Sequence, residues 1–441
     1  MKVKTSDIII CGFALFAIFF GAGNLIFPPY LGVVSGDNWL QAATAFILSD
    51  PFFPILGVLV TMALGGRADD LGQRVHPNFA KGLSAIAILL IGPLFSVPRT
   101  GATTHEIFIQ SFFPGSPQWI TSLVFFGITA YIAINPSTVM DAIGKYLTPI
   151  LLLILAVVSI TAIINPPGPL VPSQIDHVFA VGFKEGYQTM DALGAPLMAG
   201  IVITDLARRG YTDKKTQQKA GLWAGLLAFV LLALIYGTLT YAGARMSTYF
   251  GPGDDRTVII IEMIDALLGP AGRLAIGVCV ALACLTTAVG LTSIFASYFY
   301  GLLNKRISYR NLVLLAVLVE FIISLVGVNQ IITLAVPILS AIYPITMTLI
   351  LFSIFDKKIT YDATYTGAVI GAGSIGFLQA LASFGAMIAV PSIQHFGEIT
   401  LHLPFASLGL EWIVPSILLA AIFGGVSYYK HGHHSPITTT K

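Results

Sequence analysis

Long apolar runs recur along the whole chain, and they constrain its fold more than any other feature. A run of about 20 apolar residues crosses a bilayer as a helix, because a helix satisfies every backbone N–H and C=O within the segment. Of the 441 residues 56% are hydrophobic and 10% are charged, whereas soluble domains have about 25% charged residues. The chain is therefore predicted to be an all-α polytopic membrane protein, forming one membrane domain over residues 1–441.

Twelve runs are predicted to be transmembrane helices: 8–34, 40–64, 81–112, 119–134, 146–164, 178–207, 217–243, 272–301, 312–327, 329–355, 363–390 and 412–429. Residues 257–268 are predicted to form an extracellular helix between the seventh and eighth spans. Most of the 23 Lys and Arg residues fall in the loops that share a side with the N-terminus. Because basic loops stay in the cytoplasm, both termini are predicted to be cytoplasmic, including the tail with His431, His433 and His434.

The first span contains a stretch that is expected to interrupt its helix. Its small residues release the backbone, Asn24 can cap a restarting helix, and Pro28 and Pro29 follow near the first turn. The free N–H groups of the second half-helix would attract a carboxylate, and the free carbonyls of the first half would suit a cation. The alternative is a glycine-lined packing face. The residues expected at this break are Gly21, Ala22, Gly23 and Asn24.

A second break is predicted in the sixth span, where Pro196 is expected to start a new half-helix after Gly194. The residues expected to face the substrate there are Thr189, Met190 and Asp191. Spans one and six hold corresponding positions if residues 8–164 and 178–355 are two five-helix repeats of opposite orientation. Paired broken helices are typical of the binding site of a secondary transporter. Residues 363–429 are then predicted to be two additional helices.

Three stretches resemble the bacterial branched-chain amino acid:cation symporters, the BrnQ family: FGAGNLIFPP at 20–29, GPLFSVPRT at 92–100 and GYQTMD at 186–191. The resemblance extends over essentially the whole chain. It implies a transporter in the bacterial inner membrane that imports leucine, isoleucine and valine with a cation. It also implies that the protein is not an enzyme.

A more distant likeness to the LeuT-fold sodium symporters implies an ion site. The region around Gly23 and Asn24 looks like their unwound first helix, and residues 290–293 look like their sodium-site segment. If the sodium site of that fold is carried over residue by residue, Na⁺ would be bound by five groups. These are the carbonyls of Ala17, Phe20 and Val289 and the hydroxyls of Thr292 and Ser293. The substrate would lie between residues 21–24 and 189–191. The alternative is that both hydroxyls bond to carbonyls one turn earlier in their own helix.

Several charged residues fall within the predicted spans, where each costs at least ~2.5–3.5 kcal/mol on insertion scales. Asp191 is expected to hold the substrate ammonium or to shape the unwound backbone. Arg99 is expected to pair with an acid or with free carbonyls, with contact to the site as the alternative. Asp50 and Glu320 are expected to be structural, and Glu106 is expected to face a partner other than Arg99.

The leading hypothesis is a Na⁺-coupled symporter of branched-chain amino acids that contacts lipid and needs no cofactor. H⁺ coupling, or another small neutral amino acid as substrate, is the alternative. The net charge of +2 does not suggest a nucleic-acid partner. A membrane enzyme would need a catalytic motif such as HExxH or GxSxG, which this sequence lacks, and a channel would need a continuous polar stripe.

Overall fold

The computed structural model of the protein describes residues 3–135 and 138–431, and these contain helices and no β-strand. The all-α prediction is therefore confirmed for the described residues, and the histidines at 433 and 434 lie outside them. The α-helices are α1 Thr5–Phe19, α2 Ala22–Ser35, α3 Trp39–Ile47, α4 Phe53–Leu64, α5 Pro77–Leu89, α6 Ser96–Thr103, α7 Gln110–Phe112, α8 Gln118–Ile134, α9 Thr138–Ile164, α10 Val178–Glu185, α11 Asp191–Arg208, α12 Lys214–Ala244, α13 Arg256–Leu302, α14 Tyr309–Ser324, α15 Val328–Ile354, α16 Asp362–Met387, α17 Pro391–Leu401 and α18 Ile413–His431.

Among the described residues, seven helical segments are long and apolar enough to cross a membrane, or eight if the bent pair α10 and α11 forms one span. Three further apolar helices have 10–17 residues, namely Thr5–Phe19, Gln118–Ile134 and Pro149–Ile164. The protein is therefore a multi-pass membrane protein. The number of twelve spans stays a prediction, because several of the predicted spans are short or broken helices.

The longest unbroken helix, α12, has an exposed surface that suits contact with lipid rather than with water. Its side chains at Leu222, Leu226, Val230 and Leu234 are all exposed, although they are large and apolar. The buried positions on the same helix are small, with Ala220, Ala224 and Ala228 among them. An apolar surface on both faces is stable only in a hydrocarbon environment, and the small side chains let neighbouring helices approach closely.

Both predicted breaks are present. Helix α1 ends at Phe19 and α2 begins at Ala22. In the sixth span a 3₁₀ turn over Gly186–Thr189 follows α10, Met190 adopts a left-handed conformation (φ 66°), and the two half-helices meet at an angle of 46°. The chain therefore changes direction twice at membrane depth, and the two changes lie on opposite walls of one cavity.

The second half-helix of the sixth span starts earlier than the sequence suggests. It begins at Asp191 rather than at Pro196, which lies inside α11. The left-handed Met190 ends the preceding turn, and a carboxylate is favourable at a helix N-terminus, so Asp191 is a better first residue. Pro196 is the sixth residue of α11, beyond the first turn, so it removes the N–H that would bond to the carbonyl of Ala192.

Spans two and three are interrupted as well, which the sequence analysis did not predict. Between α3 and α4, a π-helical turn at Leu48–Phe52 contains Asp50 with extended backbone angles (φ −148°, ψ 115°). Between α5 and α6, a similar turn at Leu90–Leu94 contains the non-helical Gly92. The first interruption contains Asp50, which bonds to Asn24, and the second precedes Arg99, which lines the cavity. Spans one, two, three and six are therefore all interrupted.

The helix predicted for residues 257–268 is present as the first part of α13, and its extracellular location stays a prediction. Gly269, at φ 66° and ψ −167°, separates residues 256–268 from residues 270–302. Glycine has no Cβ and adopts this conformation without strain, and Pro270 then starts the following segment.

Helices α2 and α12 pack backbone to backbone through glycine. A Cβ on Gly32 would lie 1.9 Å from the carbonyl oxygen of Thr240, and a Cβ on Gly243 would lie 2.0 Å from that of Pro29. No side chain fits at either position. This contact fixes the second half of span one against span seven, next to the break.

Replacement of Gly243 by alanine is therefore expected to destabilise the protein. Alanine normally favours a helix over glycine by about 1 kcal/mol, but here its methyl group would overlap Pro29, and overpacking costs about 1–3 kcal/mol or more. Gly237→Ala is the matched control, because a Cβ at Gly237 on the same helix meets nothing within 4 Å. In detergent, the unfolding temperature should fall for Gly243→Ala and stay or rise for Gly237→Ala; equal shifts would contradict the contact.

Candidate functional site

A cavity of about 260 Å³ lies between the two broken spans. It is lined by residues of both breaks and by parts of α6, α11 and α13: Ala17, Phe20, Gly21, Gly23, Asn24, Arg99, Thr100, Thr189, Met190, Asp191, Met198, Ala283, Thr286, Thr287, Gly290, Leu291 and Ile294 among others. Of the predicted substrate residues, six are in this lining: Gly21, Gly23, Asn24, Thr189, Met190 and Asp191. The two breaks therefore do meet, as the sequence predicts.

The break in span one frees backbone groups on both sides. In an uninterrupted helix the N–H of Gly21 would bond to the carbonyl of Ala17. It bonds instead to the carbonyl of Phe19, at 3.0 Å, and to Oδ1 of Asn24, at 3.3 Å. The carbonyl of Ala17 thereby loses its helical partner, and the first N–H groups of α2 have none within the helix. The break thus offers acceptors for a cation and donors for a carboxylate.

Asn24 connects four spans through its side-chain amide. Its Nδ2 lies 3.0 Å from Oδ2 of Asp50, 2.8 Å from Oδ2 of Asp191 and 2.7 Å from the hydroxyl of Tyr236. These partners belong to spans two, six and seven. Asn24 itself is buried, with 2% of its surface exposed. One amide therefore positions both breaks relative to each other.

Asp50 is part of the site, although the sequence analysis expected it to be structural. It is fully buried, and its Oδ1 has no hydrogen-bond partner among the described residues. A buried carboxyl with an unsatisfied oxygen is costly, so the group needs a proton or a cation. The signal in the sequence is Pro51, which breaks span two beside an acidic residue at membrane depth.

Asp191 and Arg99 place opposite charges on one cavity wall without pairing. Asp191 is the first residue of α11, and Arg99 projects from α6 and donates from Nη1 to the carbonyl oxygen of Gln188 at 2.7 Å. None of the ion pairs within 4.0 Å among the described residues involves either one. The expectation that Arg99 binds a free carbonyl is confirmed, and it lines the cavity as well.

The predicted ion ligands divide into two groups. Ala17 and Phe20 line the cavity, whereas Val289, Thr292 and Ser293 are not in its lining. The hydroxyl of Thr292 donates to Oε1 of Glu320 in α14 at 2.9 Å, and that of Ser293 donates to the carbonyl of Val289 at 2.7 Å.

The physical reason is the helical repeat of α13. Successive residues turn by about 100°, so Thr292 lies nearly opposite Gly290, which faces the cavity. The hydroxyl-bearing residues of α13 that line the cavity are Thr286 and Thr287, two turns nearer the helix start. Glu320 thus bonds to a residue on the far side of α13, with its Oε2 unpaired among the described residues.

The first segment of α13, residues 256–268 and here called the cover, contacts the half-helices α2 and α10. Arg256 forms an ion pair with Glu185 at the end of α10, and its guanidinium carbon lies 4.0 Å from the ring centroid of Tyr30 and 5.4 Å from that of Phe27. Nearby, Glu106 accepts hydrogen bonds from the hydroxyl of Thr257 and the N–H of Val328. These contacts join the half-helices α2 and α10 to the cover.

The cavity leads outward between α1 and α11. A second cavity, of about 580 Å³, shares Ile18 and Ile201 with the first and extends to Asp205 and Arg208. The cavity between the breaks therefore continues along α1 and α11 towards Arg208.

Comparison with known proteins gives the family. The family described as "Branched-chain amino acid transport protein" matches residues 4–428. The branched-chain amino acid permease BraB of Bacillus subtilis is 37% identical over 431 residues, which cover 96% of this chain and 95% of BraB. The chain belongs to this family of branched-chain amino acid transport proteins. It is therefore a transporter and not an enzyme.

Other relatives and solved structures agree with this assignment. The branched-chain amino acid permease BrnQ of Escherichia coli K12 is 32% identical over 429 residues, covering 96% of this chain and 95% of the permease. The inward-facing structure of Mhp1 has a TM-score of 0.60 at 11% identity, covering 96% and 91% of the two chains. MhsT, in complex with L-phenylalanine, has a TM-score of 0.52 at 15% identity, covering 97% and 98%. The protein thus shares the fold of these transporters.

Replacement of Asn24 by alanine should disrupt the site more than its size suggests. Asp50, Asp191 and Tyr236 would lose a common donor, and each buried polar group left unsatisfied costs about 1–3 kcal/mol. We expect uptake of branched-chain amino acids to fall at least tenfold. Asn135→Ala is the control, because that amide donates to a carbonyl of its own helix, that of Tyr131, and is exposed. Equal activity of the two variants would contradict the central role of Asn24.

Proposed function

We propose that the protein is a secondary active transporter that imports leucine, isoleucine and valine by symport with Na⁺. The observation that carries this proposal is the cavity between two helix breaks, in a chain of the branched-chain amino acid transport family. Freed backbone groups and separated side-chain charges at membrane depth suit a zwitterion and a small cation.

The proposed layout is a LeuT-like fold of twelve spans in the bacterial inner membrane. Residues 8–164 and 178–355 would be inverted five-helix repeats, and residues 363–429 would form two further helices. Both termini would be cytoplasmic, although residues 432–441 lie outside the described part of the chain. In this orientation the cavity path at Arg208 leads to the cytoplasm and the cover at Arg256 is extracellular.

The backbone of an amino acid substrate would lie between residues 21–24 and 189–191. The free N–H groups at the start of α2 would bind its carboxylate, since a helix N-terminus carries a partial positive charge. The carboxylate of Asp191 would bind its ammonium group. Asp191 suits this role because it lines the cavity and forms no ion pair within 4.0 Å among the described residues.

The side chain of the substrate would face the apolar part of the wall. Ile91, Met198, Leu291 and Ile294 line the cavity and offer no hydrogen-bonding group to an aliphatic chain. One methylene in such a pocket is worth about 1–3 kcal/mol. Leucine, isoleucine and valine therefore fit one pocket with similar affinities.

The sodium ion would bind between the end of α1 and the cavity face of α13. The carbonyls of Ala17 and Phe20 would contribute from α1. On α13, Ala283, Thr286 and Thr287 repeat the spacing of Val289, Thr292 and Ser293, a carbonyl followed by hydroxyls three and four residues later. The cavity lining favours the first set. The hydroxyl of Thr286 donates to the carbonyl of Ala283 at 2.8 Å, which leaves its lone pairs for a cation.

Proton coupling is the second candidate, and one observation favours it. Asp50 and Asp191 both bond to the amide of Asn24, and Asp50 has an oxygen without a partner among the described residues. Two carboxylates that share one site retain a proton more readily than either alone. Asp50→Asn would remove such a proton site while keeping the shape of the side chain.

Transport by purified protein in proteoliposomes tests the function directly. Under the proposal, an inward sodium gradient drives leucine accumulation and leucine drives sodium entry. Uptake that follows an imposed proton gradient without sodium would replace sodium by protons as the coupling ion. Absence of leucine uptake under both gradients, with uptake of a different solute, would overturn the substrate assignment.

The ion ligands can be tested by a pair of matched variants. Thr287→Val keeps the side-chain shape and removes a hydroxyl from the cavity, so the sodium concentration for half-maximal leucine uptake should rise about tenfold, which corresponds to about 1.4 kcal/mol. Leucine affinity should fall at low sodium and recover at high sodium, since linkage is reciprocal.

Thr292→Val is the control, because its hydroxyl donates to Glu320 outside the cavity lining. Its sodium requirement should stay close to that of the unmodified protein. If Thr292→Val raises the requirement and Thr287→Val does not, the ligands carried over from the distant family likeness are the right ones.

Inhibition of leucine uptake by other amino acids tests the proposed pocket for the aliphatic side chain. Isoleucine and valine should inhibit leucine uptake at concentrations within about tenfold of one another. Arginine should not inhibit at tenfold higher concentration, since its guanidinium would lie against the apolar wall. Inhibition by arginine as strong as that by isoleucine would contradict the assignment of this wall.

A further inference from the structure

Arg99 is a buried cation on the wall of an open cavity. It has 2% of its surface exposed, and no carboxylate of the described residues lies within ion-pair distance of it. Its one hydrogen bond among the described residues, from Nη1 to the carbonyl oxygen of Gln188, uses a single donor of the five that a guanidinium carries. A buried charge of this kind is stable only with a compensating anion.

The guanidinium of Arg99 lies next to the first break. A Cβ built on Gly23 would lie 2.6 Å from Nη2 of Arg99 and 3.0 Å from the ring of Phe27. The absence of a side chain at Gly23 therefore lets the guanidinium lie directly against the backbone at the start of α2. The donors of Arg99 and the free N–H groups of that helix end face the same part of the cavity.

The aromatic ring of Phe27, one turn after Gly23 on α2, also contacts the guanidinium. The guanidinium carbon of Arg99 lies 5.1 Å from the ring centroid of Phe27, and that of Arg256 lies 5.4 Å from the same centroid. Stacking on an aromatic ring orients the planar fork and leaves its N–H edge available. Arg99 is thus presented to the cavity, and Arg256 belongs to the cover.

We propose that Arg99 binds the α-carboxylate of the transported amino acid, together with the amides at the start of α2. This inference rests on the proposed function and adds the residue that selects for a carboxylate. Asp191, on the opposite break, then receives the ammonium group. Because Arg99 also bonds to the carbonyl of Gln188, the bound carboxylate is linked to both breaks through one side chain.

The assignment makes a prediction about substrate chemistry that a purely structural role does not. Leucinamide keeps the ammonium group and the side chain of leucine but replaces the carboxylate by a neutral amide. The unmodified protein should bind leucine at least a hundredfold more tightly than leucinamide. In Arg99→Gln this ratio should fall at least tenfold, because the lost interaction involves only the carboxylate.

Affinities of purified protein for leucine and leucinamide, measured by calorimetry at fixed sodium, provide the test. Arg99→Lys keeps the charge without the planar fork, so its ratio should lie between those of the unmodified protein and Arg99→Gln. Arg256→Gln is the control, because Arg256 contacts the same ring of Phe27 and belongs to the cover. The ratio of its affinities for leucine and leucinamide should be unchanged. If Arg99→Gln does not fold, a ratio for Arg99→Lys equal to that of the unmodified protein overturns the proposal.

Equal losses of affinity for both ligands in Arg99→Gln would also overturn it and would make Arg99 a brace between the two breaks. Failure of the proposed function has a different signature, since the unmodified protein would then bind neither leucine nor leucinamide. If another neutral amino acid is the substrate, the same ratio measured with that amino acid and its amide tests Arg99.

Discussion

The structure depends on the side-chain amide of Asn24. Its oxygen accepts the N–H of Gly21 at the break, and its nitrogen lies within 3.0 Å of Asp50, Asp191 and Tyr236. Asn24 is buried, with 2% of its surface exposed, so these hydrogen bonds are stronger than those of a network at the protein surface. The end of one broken helix, the start of the other and two neighbouring spans are thereby held around a single cavity.

The proposed substrate explains why a membrane protein keeps charged side chains around this network. Arg99 and Asp191 both line the cavity and form no ion pair with each other within 4.0 Å. In the proposed function, each would bind the group of the substrate that carries the opposite charge. An amino acid has both charges and leaves the net charge of the site unchanged. Arg256 of the cover forms an ion pair with Glu185 of α10, and a second cavity extends from the first to Arg208.

The breaks were predictable because glycine, asparagine and proline act locally on the backbone. Gly21, Gly23 and Asn24 identify the first break, and the second was located to within a few residues, with Met190 rather than Pro196 at the turning point. Asp50 and Tyr236 were not predictable as partners, because their roles depend on how distant helices pack. The hydroxyl ligands illustrate the same limit: two segments of α13 share one spacing, and only the three-dimensional structure distinguishes the face that carries Thr286 and Thr287.

A structure of the protein bound to leucine and sodium, determined by cryo-electron microscopy, tests the central claim most directly. The account predicts leucine between the two breaks, with its ammonium within hydrogen-bond distance of Asp191 and its carboxylate at Arg99 and the start of α2. Leucine bound outside this cavity, or a continuous helix through residues 20 and 21 in the bound state, would contradict it.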